Sequence, residues 1–184
     1  TPVTTEDVMF TWKVGRHKQS GAGNIEFYRS LYKIDAVDEK TFTFYFDKLT
    51  FEYNSIGGFE LLPAHIDEKN FADPLSYKNR TAFDTDTVNP GLYFGPFRID
   101  EAVSGSHVVL VPNDTWFGEK PHFKKITVRV IENTAALEAN LLSGGIDMIA
   151  GELGLTVDQA VNFEKRHGKK FQILYKPGLI YEHI

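Results

Sequence analysis

The sequence predicts a mixed α/β protein, with helices packed on sheets. Three observations carry that prediction. Phe42, Phe44 and Phe46 alternate with Thr43 and Tyr45 behind the polar turn Asp38-Glu39-Lys40, the period-two pattern of a half-buried strand. A second hairpin pattern, residues 97–102 and 107–111, turns at Ser104-Gly105. Beyond it, strand-like and helix-like segments alternate to residue 175, the order that gives a mixed sheet.

The first element is a helix. Pro2 precedes a Thr4/Thr5 cap, Glu6 and Asp7 sit at the positive helix end, and Val8, Met9 and Trp12 share one face. Gly15 and the stretch Ser20-Gly21-Ala22-Gly23-Asn24 end it in a loop. Residues 25–32, short and aromatic, are predicted helical rather than extended. The first hairpin follows, with residues 34–37 and 41–46 as its arms. Leu61-Leu62-Pro63-Ala64-His65-Ile66 is an apolar segment stopped by a proline. Residues 67–89 are polar, with Pro74, Asn79 and Asp84, and are expected as surface loops with at most a short helix.

A second region opens at Asn89-Pro90 with the second hairpin, then a loop over 113–121 that carries Trp116. Ile126, Val128 and Val130 alternate as a strand. Asn133/Thr134 cap a helix whose Leu137, Leu141 and Leu142 lie on one face and which Gly144-Gly145 ends. Residues 146–149 are expected as a short buried strand. Thr156 and Gln159 make a capping box for a helix to about His167, closed by Gly168. Residues 171–175 are expected as a final strand that Pro177-Gly178 breaks.

Composition narrows the function classes. A net charge of −5 repels phosphate backbones and anionic lipid, which argues against nucleic-acid and membrane-surface roles. The absence of cysteine excludes disulfides, thiolate metal sites and a cysteine nucleophile. The chain opens on Thr1-Pro2-Val3 where a helix is about to begin, and stops at Tyr181-Glu182-His183-Ile184 inside an apolar stretch, so both ends are expected to be cuts.

Catalytic and metal chemistry find no support. His17, His65, His107, His122, His167 and His183 include no pair at the four-residue spacing that puts two ligands on one helix face, so no metal site is predicted. There is no Gly-x-Ser-x-Gly elbow, and Gly21-Ala22-Gly23 lacks the strand before it and the Lys-Ser/Thr after it that a phosphate loop needs. Glu6/Asp7 is explained by the helix dipole and Asp84/Asp86 by solvation, so no catalytic residue, enzyme activity or cofactor is predicted. Aromatics beside loops are another matter: Trp12, Phe27, Tyr28, Phe59, Trp116 and Tyr181 are placed where they line a pocket or pack a core.

Several stretches together resemble the large solute-binding proteins of the peptide, dipeptide and nickel uptake family, family 5. Pro2-Val3-Thr4-Thr5-Glu6-Asp7-Val8 is similar to that family's Pro-Val-Thr-Ala-Glu-Asp-Val helix start. Leu62-Pro63-Ala64-His65-Ile66 resembles its Pro-Lys-His-Ile segment, and Asn89-Pro90 with Gly95-Pro96-Phe97-Arg98-Ile99 its Asn-Pro-Val-Gly-Thr-Gly-Pro-Tyr-Arg-Leu run. Residues 109–118 resemble Val-Leu-x-Arg-Asn-Pro-x-Tyr-Trp-Gly, and Ser143-Gly144-Gly145-Ile146-Asp147-Met148 its Ser-Gly-Glu-Ile-Asp motif. In this order, over residues 2–184, the motifs are specific together. Tyr93-Phe94 depart from the family's Gly-Thr, and Pro112 replaces its Arg.

The resemblance implies one part of a type II periplasmic-binding-protein clamshell. Residues 1–88 would form part of an accessory α+β subdomain, and 89–184 part of the main lobe up to a hinge near 177–184, with the opposing lobe absent. It implies the substrate-binding component of an ABC importer of bacterial origin. Such a component captures a small peptide or similar solute outside the cytoplasmic membrane and delivers it to a membrane permease. It would be periplasmic, or a membrane-associated lipoprotein in a Gram-positive host. Metal-chelate and oligosaccharide binders share these motifs, and a hydrolytic enzyme domain or a passive interaction domain are the readings of other classes. The ligand-facing wall is expected at Asn24, Phe27, Tyr28, Phe59 and Glu60, which lie in loops beside the motif helices; Phe27 and Phe59 are equally suited to a core.

Overall fold

The computed structural model describes residues 1–49, 57–149 and 154–175. It divides into two compact units, Thr1–Val128 and Arg129–Ile184.

Helix α1, Thr5–Arg16, organises the first unit. Thr4 caps it through a reciprocal box: its hydroxyl accepts from the first turn, and the Asp7 carboxylate accepts the Thr4 N–H at 2.8 Å. Asp7 does more than complement the helix dipole. It is buried, and its second oxygen accepts the N–H of Ala64 at 2.8 Å, which fixes the start of α3 (Ala64–Asp67) against α1. Thr11 adds a parallel tie: its hydroxyl accepts the Leu62 N–H at 2.8 Å. A short helix, α2 (Ile25–Ser30), leads directly into β1 (Leu31–Ala36), which pairs antiparallel with β2 (Phe42–Phe46). In the turn between them one Asp38 oxygen accepts the N–H groups of Lys40 and Thr41 at 2.7 and 2.8 Å.

Two apolar clusters form on different sides of α1. Val8 packs with Leu31 and Ile34, and Met9, Trp12, Phe42, Phe44, Phe46, Phe59 and Leu61 close around them. Phe10 and Val14 instead join Ala64, Phe71, Tyr77 and Leu62. The alternation at Phe42, Phe44 and Phe46 thus turns its apolar face to α1, as the period-two pattern requires. Each fully buried side chain of this size contributes roughly 1.5–3 kcal/mol of transfer free energy.

Residues 67–89 correct the expectation of surface loops. They fold as a chain of single turns, a 3-10 turn at Asn70–Ala72, α4 (Pro74–Tyr77) and α5 (Ala82–Thr85), with a further 3-10 turn just beyond at Pro90–Leu92. The reason is Asp67, which is fully buried. One of its oxygens accepts the Asn70 side-chain amide and the Ala82 N–H, both at 2.8 Å; the other accepts the Tyr77 hydroxyl. A charge is tolerated inside because every donor it needs surrounds it. Asp84, expected as a solvated loop residue, completes a capping box with Thr81.

The second hairpin pairs β3 (Phe97–Val103) with β4 (His107–Pro112), and β5 (Ile126–Arg129) joins to give the order β3-β4-β5. This sheet is separate from the β1-β2 sheet. Buried Asn113 follows β4, and its side-chain amide donates to the carbonyls of Tyr93 and Gly95 at 3.0 and 2.9 Å. That pins the loop in which the bulky Tyr93-Phe94 stand.

In the second unit, α6 (Thr134–Ser143) is capped by Asn133 and α7 (Val157–His167) by the Thr156/Gln159 box. Gln159 reaches the Thr134 hydroxyl at 3.2 Å, and Arg166 the Glu138 carboxylate at 3.0 Å, joining the two helices. Phe163 is buried, with the rings of His167 and Phe171 at 4.9 and 5.5 Å. Helix α6 ends at Gly144, whose φ of 78° lies in the left-handed region. A Cβ there would meet nothing within 4 Å, so the requirement for glycine is conformational, not steric.

Two predicted strands are absent. Residues 146–149 and 171–175 take no ladder partner, and Met148 and Leu174 are exposed. Short apolar runs become strands only where a neighbour accepts their backbone hydrogen bonds, and none does among the described residues. The expected hinge near 177–184, with Tyr181, lies outside the described residues.

Candidate functional site

The five residues expected to face a ligand come together around α2. Asn24 caps that helix, its side-chain oxygen accepting the Phe27 N–H at 3.4 Å. The ring of Tyr28, one residue further, is held against α1 at Gly15, where a Cβ would lie 2.3 Å from Tyr28 Cγ. Only glycine allows that approach. The Tyr28 hydroxyl then accepts the Glu60 N–H at 3.2 Å, which fixes the backbone of the 57–62 segment beside α2.

Within this neighbourhood the residues take different parts. Asn24, Tyr28 and Glu60 line a cleft of about 300 Å3, whose floor is α1 and whose other walls are the Ser20–Gly23 loop and the turn at Tyr77 to Thr81. Phe27 and Phe59 do not line it. Phe27 packs tilted against Phe46 at 5.9 Å and edge-on to Tyr28 at 5.4 Å; Phe59 lies 5.1 Å from Phe44 and 5.5 Å from Tyr28, within the cluster under β2. These two rings brace the wall from behind. Burial pushes the Tyr28 phenol above its ordinary pKa, so it stays neutral and keeps its O–H proton to donate.

Lys78 also lines the cleft, and nothing in the local sequence pointed to it. It arrives there because Gly21, at φ 79°, lies close enough that a Cβ would fall 2.6 Å from the Lys78 Cβ. Two other depressions exist among the described residues. One of about 690 Å3 lies between Leu61–Pro63 and Gly91–Phe94, and one of about 590 Å3 along Trp12, Arg16 and His65 on α1. None of the five expected residues lines either. Trp12 is braced by a hydrogen bond from its indole N–H to the Leu31 carbonyl at 2.8 Å and by Arg16 at 4.7 Å. Trp116 closes its own loop on the Glu119 carbonyl at 3.0 Å. Among the described residues no group of three His, Asp or Glu side chains gathers as metal ligands.

Chemically, such a cleft offers hydrogen bonds and charge but no activated nucleophile.

Comparison with known proteins gives the chain its family. The profile of bacterial extracellular solute-binding proteins, family 5 middle region, matches residues 1–184. The probable D,D-dipeptide-binding periplasmic protein DdpA of Escherichia coli is 30% identical over 173 residues, which cover 92% of this chain and 31% of that protein. The structure of MoaA from A. tumefacien R10 in complex with mannopinic acid superposes with a TM-score of 0.68 at 25% identity, over 91% of this chain and 31% of that one. DppA from Helicobacter pylori in complex with the peptide STSA superposes with a TM-score of 0.70 over 92% of this chain and 33% of that one; at 15% identity this likeness speaks for the fold. The chain spans about a third of the length of the proteins it matches.

Proposed function

Because this chain belongs to the bacterial extracellular solute-binding proteins of family 5, we propose that it is part of the substrate-binding component of an ABC importer for peptides or similar small solutes. The observation that carries the reading is the family match over residues 1–184, from the capped start of α1 through the glycine stop of α6. In this reading the cleft beside Asn24, Tyr28 and Glu60 serves as one wall of the ligand site. In this reading residues 1–88 belong to an accessory subdomain and 89–184 to the main lobe, with a hinge near 177–184. The working partners are the solute and a membrane permease, and the location is periplasmic or, in a Gram-positive host, outside the membrane on a lipid anchor. The role is capture and delivery, not catalysis.

A two-lobed binder surrounds its ligand, and closure supplies much of the desolvation and of the converging polar contacts. Residues 1–184 alone are therefore expected to bind weakly or not at all. Mass spectrometry of small molecules that co-purify with the full-length protein identifies the solute class. Calorimetry with dipeptide mixtures then compares the full-length protein with residues 1–184. Tight binding by the first and little by the second is expected; equal, tight affinity would refute the two-lobed site.

A further inference from the structure

Three side-chain hydrogen bonds reach the stretch that leads into α3, one at every second residue. The Tyr28 hydroxyl accepts the Glu60 N–H at 3.2 Å, the Thr11 hydroxyl the Leu62 N–H at 2.8 Å, and the Asp7 carboxylate the Ala64 N–H at 2.8 Å. A spacing of two is that of an extended chain, and Pro63 within it has φ −78° and ψ 97°. The side chains agree. Leu61 packs into the cluster of Val8, Leu31 and Ile34, and Leu62 into that of Phe10 and Val14, on different sides of α1. Residues 60–64 are therefore a strand whose inner edge is held by side chains of α1 and α2 instead of by a neighbouring strand.

The outer edge is unspent. Alternate residues of an extended chain turn their N–H and C=O to opposite edges, so Leu61 directs its pair away from the helices. Neither group has a hydrogen-bond partner among the described residues. Pro63, next on that edge, has no N–H, and its carbonyl already accepts from Ile66 and Asp67 at 3.1 and 3.0 Å, so pairing stops there. The groove of about 690 Å3 borders this stretch; Phe94 and Phe117, both exposed, line it.

An unpaired N–H and C=O beside apolar walls call for one partner that brings both polar groups and apolar side chains, which is an extended polypeptide segment. Thr1, Pro2 and Val3 line the same groove, and the Lys40 ammonium donates to the Val3 carbonyl, which ties that stretch to the turn between β1 and β2. This chain spans about a third of the length of the proteins it matches, and the matching profile is the family's middle region, so the full-length protein has further chain to supply. We infer that the stretch leading into Thr1 in the full-length protein adds to the Leu61 edge as a strand and lays apolar side chains against Phe94 and Phe117. This surface thus serves the assembly of the whole protein and lies apart from the Asn24–Tyr28–Glu60 cleft.

The test uses the full-length protein with no solute added. Hydrogen exchange resolved to single amides is expected to show the Leu61 N–H exchanging at least about tenfold more slowly than in an open chain, the effect of one retained hydrogen bond. A benzophenone photo-crosslinker is then placed at exposed Phe117 as Phe117→p-benzoylphenylalanine, a change that disturbs no buried cluster. Mass spectrometry of the irradiated protein is expected to map the crosslink within one chain, to residues that precede Thr1. Fast exchange at Leu61 overturns the inference, because the edge is then open. Protection that arises only when dipeptides are added makes the solute the occupant and overturns it too. Crosslinks between two chains would make a second copy the occupant, and crosslinks to residues beyond Ile184 a different stretch; either overturns it. All four results leave the family assignment and the capture reading standing.

Discussion

The Tyr28 ring rests on the backbone of Gly15, so closely that a methyl group on the glycine would sit 2.3 Å from Cγ. One contact therefore sets the distance from α1 to α2 and, through the Tyr28 hydroxyl, the position of Glu60 at 3.2 Å.

Gly15→Ala is expected to push Tyr28 off α1. Overpacking of this kind costs about 1–3 kcal/mol. The loss shows as a lowered denaturant midpoint with unchanged slope, and a changed near-ultraviolet circular dichroism band reports the moved tyrosine. An unchanged midpoint would mean that the ring relocates freely.

Asp67→Ala is expected to be among the most damaging single substitutions. It strands the Asn70 amide, the Ala82 N–H and the Tyr77 hydroxyl, each at the cost of an unsatisfied buried group, for a total of about 3 kcal/mol or more. Chemical denaturation measures it. A loss under about 1 kcal/mol would show that water replaces the carboxylate easily.

Tyr77 predicts a response to alkali. Its hydroxyl is buried and donates to Asp67, and both effects push its pKa well above the ordinary 10.0. The folded state thus holds this proton more tightly than the unfolded chain does. The contribution is fully present below pH 10 and is lost as pH rises beyond the unfolded value. Tyr77→Phe is expected to be less stable at neutral pH but to lose stability less steeply between neutral and alkaline pH. Parallel slopes for the two proteins would count against the Tyr77–Asp67 bond.

Gly144→Val is expected to cost about 1 kcal/mol or more, because a branched residue must adopt a positive φ there. Gly144→Asn, which tolerates the left-handed region, should lose less. Thermal melts of both variants rank them; equal losses would point away from the backbone conformation.

Local rules made much of this fold legible. The Thr4 and Thr156 caps, the Phe42–Phe46 alternation and the Gly144 stop each follow from a few neighbouring residues, so the sequence displays them directly. The misses are non-local. Residues 67–89 look like solvated loops because their polarity is visible while the partners of Asp67 are scattered along the chain. Residues 146–149 and 171–175 have the apolar character of strands, yet a strand is a property of two segments, not one. Of the five residues expected to face a ligand, Asn24, Tyr28 and Glu60 line the cleft. Phe27 and Phe59 could not be told from core by their type, and Lys78 entered through a glycine contact that no local pattern announces.

Helix α1 stands between the two apolar clusters of the first unit, with Val8 in one and Phe10 and Val14 in the other. It acts as a shared partition, and a shared partition makes its two rooms melt together. Turning or fraying it to relieve one side would uncover the other, so the hairpin side and the short-helix side should be one cooperative unit rather than two. The amides at the middle of α1 would then exchange with solvent only when both clusters open at once. A defect introduced at Phe71 would accordingly be felt at Ile34, through a helix that both sides need and neither owns.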